Sequence, residues 1–140
     1  MAHPQHVQDM IDDFSFLEDW EDRYMHVIDM GKALTPLTID EKTEANRVKG
    51  CTSQVWLLSE QSKTTPLILN FRGDSDAHIV RGLVAIILRI YSGQTPRDIL
   101  KINMKDVLHA LGLDEHLSTQ RSNGLHAMIN RIRAEAEATF

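Results

Sequence analysis

Three observations predict an α+β fold, with helices packed on one face of a small antiparallel sheet. Apolar residues recur at spacings of three and four in several separate segments, the mark of amphipathic helices. Two short apolar runs, residues 54–60 and 66–72, flank the polar Gln61-Ser62-Lys63-Thr64-Thr65 and predict a β-hairpin with a five-residue turn. Residues 77–91 are apolar almost all round, the pattern of a helix buried on every side.

Val7, Met10, Ile11, Phe14 and Leu17 place a short amphipathic helix at residues 5–14. After a break, Trp20, Tyr24, Val27, Ile28 and Leu34 resume the period and predict a second helix over residues 19–33, ending near Gly31. Residues 35–50 hold Pro36, Asn46 and Gly50 among many polar side chains and lack a period, so they form a long loop leading to Cys51. Loops of that length in compact domains are often functional. The hairpin follows, and because two strands alone are marginal, a third strand or close helical cover is expected. Asp76 offers an N-cap for the central helix, which carries Ile79, Val80, Leu83, Val84, Ile86, Ile87, Leu88 and Ile90. Thr95-Pro96 opens another short helix by the cap-then-proline rule, and Met104 to Leu111 give one more before Gly112. Ser118 or Thr119 opens the last, with Leu125, Met128, Ile129 and Ile132 inward and Arg131, Arg133, Glu135 and Glu137 outside.

The 140 residues suit a single domain over positions 1–140, since a chain of this size buries about 68% of its unfolded surface without staples. The longest apolar run, residues 83–88, falls far short of the ~20 residues of a membrane-spanning helix. The stretch Met1-Ala2-His3-Pro4-Gln5-His6 lacks the basic start and apolar core of a signal peptide, so the cytoplasm is expected. Residues 1–46 carry 11 acidic and 3 basic side chains and the remainder 9 and 12, giving the net charge of -5. That balance, with no dense Lys/Arg block, argues against nucleic acid as a partner, and the acidic front is expected to be a solvated helix face. One cysteine excludes an internal disulfide framework, a CxxC redox pair and a multi-cysteine metal site. No glycine-rich nucleotide loop is present.

Cys51 lies in Asn46-Arg47-Val48-Lys49-Gly50-Cys51-Thr52-Ser53-Gln54, among Gly, Thr, Ser and two cations rather than core aliphatics. Nearby cations favour the thiolate, the reactive form, and Gly50 permits a tight turn or close backbone approach. A hydrolase would need a histidine base, for which His78 and His126 are candidates. A phosphatase loop would need an Arg soon after the cysteine, where an apolar strand stands instead. Sulfur transfer demands least: a thiolate takes the outer sulfur of a persulfide and holds it until an acceptor thiol attacks. A second thiol nearby would discharge that persulfide as a disulfide, and this chain has none. Gly73-Asp74-Ser75-Asp76 lacks the rest of a calcium loop and is read as helix capping.

In these residues the chain resembles the SufE family of sulfur acceptor proteins in iron–sulfur cluster assembly. The likeness runs through Trp20-Glu21-Asp22-Arg23-Tyr24, Val48-Lys49-Gly50-Cys51-Thr52-Ser53-Gln54-Val55-Trp56, Gly73-Asp74-Ser75-Asp76-Ala77 and Leu117-Ser118-Thr119-Gln120-Arg121-Ser122-Asn123-Gly124-Leu125. The resemblance implies an α+β domain like that of the iron–sulfur scaffold proteins, with the cysteine on a loop at one end. It implies a cytoplasmic protein that takes persulfide sulfur onto Cys51 from a PLP-dependent cysteine desulfurase, stimulates that enzyme, and passes the sulfur to a SufB-type scaffold complex. The expected desulfurase is of the SufS type rather than the CsdA type, and the alternative role is a noncatalytic docking regulator. PLP belongs to the desulfurase, so neither a cofactor nor a metal is expected in this chain, and a homodimer is compatible with the family pattern. Arg121 and Asp74 fall in motifs that the family keeps near the cysteine loop and the docking surface. A persulfide needs shelter, so Cys51 is expected to be partly covered at rest and to swing out when docked.

Overall fold

The computed structural model describes residues 3–139. Met1 and Ala2, at the front of the stretch read for a signal peptide, and Phe140 lie outside the described residues. The elements are α1 (Gln5–Ser15), α2 (Trp20–Lys32), a single 3-10 turn (Ile39–Glu41), β1 (Val55–Gln61), β2 (Leu69–Ser75), α3 (His78–Tyr91), α4 (Pro96–Lys101), α5 (Met104–Leu111), α6 (Leu113–His116) and α7 (Thr119–Thr139). This is the predicted α+β architecture, with every predicted helix present.

α3 is the centre. Eleven of its fourteen residues are buried, including Leu83, Ile86, Ile87, Ile90 and Tyr91. α2, β2, α1 and α7 all pack on it. The approach of α2 is set by two glycines. A Cβ on Gly82 would lie 2.2 Å from the Val27 carbonyl oxygen, and one on Gly31 would lie 2.7 Å from the Gly82 nitrogen. Backbone thus meets backbone at the crossing, closer than ordinary side chains allow. α1 buries Val7, Met10 and Phe14, the stripe its spacing predicts, and touches α3 and α5.

β1 and β2 pair antiparallel, from Val55 opposite Ser75 to Gln61 opposite Leu69. The second strand lies three residues further along the chain than predicted, and its connection spans residues 62–68. Pro66 has no N–H to give a ladder, and Ser62 closes the turn instead: its N–H donates to the Ile68 carbonyl at 2.8 Å and its Oγ accepts the Ile68 N–H at 2.7 Å. At the other end Gly73, Asp74 and Ser75, expected as a cap, belong to the strand. Gly73 is needed there, because a Cβ would stand 2.6 Å from Leu57 Cδ2 and 2.8 Å from Val84 Cγ1. Asp76 does not cap α3 either. Its Oδ1 accepts the Gln54 N–H at 3.0 Å, and the N-cap residue is Ala77. The expected cover for a two-stranded sheet comes from α3 and from one antiparallel bridge on each edge, Arg47 to Trp56 and Gln94 to Leu69.

Thr95 and Asn103 cap α4 and α5 through side-chain oxygens, and Gly112 ends α5 in the left-handed region at φ 77°. The four-residue α6 has no counterpart among the predicted elements; buried Leu113 anchors it. In α7, Leu125, Met128, Ile129 and Ile132 face inward as predicted. Three of the four charged residues expected outside are half-buried struts. Arg131 donates to the Arg47 and Ala45 carbonyls, Arg133 to the Leu100 carbonyl, and Glu135 accepts from the Ser59 hydroxyl.

The crossing of α2 and α3 yields a prediction. Gly82→Ala places a methyl group against an immovable carbonyl and should lower unfolding free energy by about 3 kcal/mol. Urea denaturation followed by circular dichroism will show a lower midpoint; an unchanged midpoint would mean that the helices part freely.

Candidate functional site

Cys51 sits at the tip of a short hairpin that precedes β1. The stem pairs residues 46–48 with 55–57: the Val48 N–H donates to the Val55 carbonyl at 2.8 Å, and the Leu57 N–H to the Asn46 carbonyl at 2.8 Å. Val48 is buried, and Arg131 grips the stem from α7 at 2.8 and 2.7 Å. On the far side Gln54 is held twice, its N–H by Asp76 and its carbonyl by the Ser75 hydroxyl at 2.7 Å. Gly50 makes the turn at the tip with φ 94°, a conformation that other residues adopt only with strain. Both feet of the tip are therefore fixed to the body.

From the tip, Cys51 reaches back to α7. Its S–H donates to the Gly124 carbonyl at 3.5 Å. Gly124 leaves the room for this: a Cβ there would lie 3.3 Å from the sulfur and 3.7 Å from Cys51 Cα. The thiol is half-buried beside a cavity of about 420 Å³. Ile79, Val80 and Leu83 of α3 and Leu125 and Met128 of α7 form its apolar wall. Thr52, Ser118, Gln120 and Arg121, all exposed, form its rim.

Burial pushes the Cys51 thiol above the ordinary cysteine range, and no neighbouring charge offsets it. The expectation that Arg47 and Lys49 favour the thiolate is thereby overturned for the free protein. Lys49 is exposed, and Arg47 turns to Glu44 at 3.8 Å. Neither His78 nor His126 lines the cavity, and both are exposed, so the base that a hydrolase requires does not meet the thiol.

Of the two other residues singled out, Arg121 lies in the first turn of α7 and shares the cavity with Cys51. Its N–H is capped by the Ser118 hydroxyl at 3.2 Å while its side chain is exposed. Asp74, expected near the docking surface, is 3% exposed and cannot present its carboxylate to a partner in this conformation. It is an internal tie instead. Its oxygens accept the N–H groups of Leu37 at 3.1 Å and Ser75 at 2.8 Å. Arg81 Nε stands 3.3 Å away, an ion pair whose angle misses a hydrogen bond, and Lys42 Nζ 3.7 Å. Lys42 also sits 5.1 Å above the centre of the Trp56 ring, so the long loop is pinned to the sheet through this one carboxylate.

Gly124 and the cavity wall escaped residue-by-residue reading of chemistry, since neither bears a reactive group. The signal available was the glycine inside an otherwise strong helix. Among the described residues, His109, Asp114 and Glu115 could bring ligand atoms within 4.8 Å of one another. All three are exposed and none lines the cavity; Asp114, at 2.9 Å from His109 Nδ1, raises the histidine pKa.

Comparison with known proteins bears on the chain as a whole. The family model described as "SufE: Fe-S metabolism associated domain" matches residues 8–136. An uncharacterized SufE-like protein of Rhizobium etli is 52% identical over 133 residues, covering 94% of this chain and 89% of the relative. An uncharacterized SufE-like protein of Rhizobium meliloti is 50% identical over 132 residues, covering 94% of each. The solution structure of a hypothetical protein from Thermus thermophilus superposes with a TM-score of 0.77 at 16% identity, covering 98% of this chain and 97% of that one, and so shares the fold.

Two outcomes are expected. Iodoacetamide should alkylate the native protein with a pH midpoint above the ordinary thiol value of ~8.5, falling to that value in urea. A native midpoint below it would mean that the cations do act on the sulfur. Asp74→Asn should lower stability by about 2 kcal/mol by leaving Arg81 and Lys42 unpaired, whereas a pure docking residue would leave the urea midpoint unchanged.

Proposed function

Because the chain belongs to the SufE family, and with it to iron–sulfur metabolism, we propose that it carries sulfur as a persulfide on Cys51. The donor is a PLP-dependent cysteine desulfurase of the SufS type, which the protein also stimulates, and the acceptor is a SufB-type scaffold complex. The observation that supports this reading is the lone thiol at a hairpin tip beside a cavity, with no second cysteine in the chain to discharge a persulfide.

The transfer needs three things of this chain. Cys51 must first lose its proton, which its half-buried position resists, so docking has to draw the tip away from Gly124 or supply a base. The thiolate then attacks the outer sulfur of the desulfurase persulfide. A new S–S bond forms on Cys51 as the old one breaks, and the bonding pair leaves on the desulfurase cysteine as thiolate. No net oxidation occurs. Last, the carried sulfur must survive until it meets the scaffold, and the recess between the apolar wall of Ile79, Leu83, Leu125 and Met128 and the polar rim of Ser118, Gln120 and Arg121 narrows the approach of stray thiols. A reducing compartment, the cytoplasm, fits a protein whose working state is a single free thiol.

Incubation with a desulfurase and cysteine, followed by intact mass measurement without reductant, tests the proposal. Wild type should gain one sulfur atom and Cys51→Ser none, and the stimulation of cysteine turnover should fall with Cys51→Ser to the level of the desulfurase alone. Stimulation that persists in Cys51→Ser would replace the carrier with a docking regulator.

A further inference from the structure

The geometry points to the Gly124 carbonyl as a positioning group that distinguishes the empty carrier from the loaded one. This rests on the reading of Cys51 as a persulfide carrier. In the empty state the thiol is a donor, and the helix carbonyl at 3.5 Å is its acceptor. A persulfide reverses both conditions. Persulfides are stronger acids than their parent thiols, so at neutral pH the outer sulfur is an anion with no proton to donate, and a carbonyl oxygen repels it. The space is also wrong. An S–S bond of about 2.05 Å pointed at Gly124 would bring the outer sulfur into overlap with the oxygen. The thiol already fits so closely that one methyl group on Gly124 would stand 3.3 Å from it.

Loading therefore breaks the contact by which Cys51 reaches back to α7. The outer sulfur turns to the cavity side, where Ser118, Gln120 and Arg121 carry donors at the rim. The stem of the hairpin does not move, because Val48, Arg131 and Asp76 hold its feet through contacts that do not involve the sulfur. Only residues 49–53 are freed. An empty carrier keeps its tip tucked, and a loaded one relaxes it without any signal from a partner.

Amide hydrogen exchange on three forms of the free protein tests this at one neutral pH: the thiol, the persulfide made with inorganic polysulfide, and the neutral S–S–CH₃ form made with methyl methanethiosulfonate. Polysulfide passes its outer sulfur to the Cys51 thiolate and leaves one sulfur shorter, so no desulfurase is involved. The result is then independent of whether a desulfurase is the physiological donor. Exchange at residues 49–53 should be about twofold faster in the persulfide than in the thiol, the factor that one weak, long hydrogen bond represents, with the neutral form between them. Gly124→Ala should speed exchange in the thiol form itself and shrink the difference between forms. Equal exchange in thiol and persulfide overturns the inference. So do equal exchange in persulfide and neutral disulfide, which would make it a matter of bulk alone, and an undiminished difference in Gly124→Ala.

Discussion

The structure depends on how closely α3 can be approached from two sides. On one side Gly82 and Gly31 bring the backbones of α3 and α2 into direct contact. On the other, Gly73 opens β2 so that Val84 of α3 and Leu57 of β1 meet across the space a side chain would fill. Ordinary side chains at these positions would push α2 or the sheet outward by ångströms, and a close-packed interior has no slack to absorb that. With α3 fixed between them, Arg81 reaches both the Leu34 carbonyl and Asp74, tying the end of α2 and the long loop to the sheet. The same helix supplies Ile79, Val80 and Leu83 to the wall beside Cys51. The site is thus an edge of the core rather than an addition to it.

Against that rigid frame the cysteine tip is weakly held. Its feet carry backbone ladder bonds, a buried Val48 and an arginine clamp, each of ordinary or better strength. Its centre carries one S–H bond at 3.5 Å, a weak donor on a long contact. Movement of the tip therefore need not disturb the sheet, and local opening falls where hydrogen bonds are fewest.

Much of this is legible in the residues, for stated physical reasons. Helix periods in α1, α3 and α7 and the caps at Thr95 and Gly112 are local signals, and local signals decide such elements. The hairpin is visible but displaced, because Pro66 and Ser62 set the turn through a connection seven residues long that apolar patterning does not encode. Asp74 and Asp76 mislead for a related reason. Both look like caps in sequence, yet their partners are Leu37, Arg81 and Gln54, residues brought near only by the completed fold. Cys51 stands out through its neighbours, while its protonation does not: adjacency in sequence puts cations beside it, but in space Arg47 pairs with Glu44, Lys49 is exposed, and burial alone acts on the thiol.

That last difference bears on chemistry. A carrier with a low thiol pKa would hold thiolate at all times and react with any electrophile or disulfide it met. Burial beside an apolar wall, with a carbonyl to take the proton's hydrogen bond, makes the resting sulfur a poor nucleophile instead. On the proposed carrier reading, reactivity then comes from an encounter that draws the sulfur from Gly124 or supplies a base. A lone cysteine cannot be protected by a resolving partner within its own chain, so control must lie in its protonation and its cover. The cover comes from the contact at Gly124 and the five apolar side chains behind it, and the burial they impose keeps the proton on the sulfur.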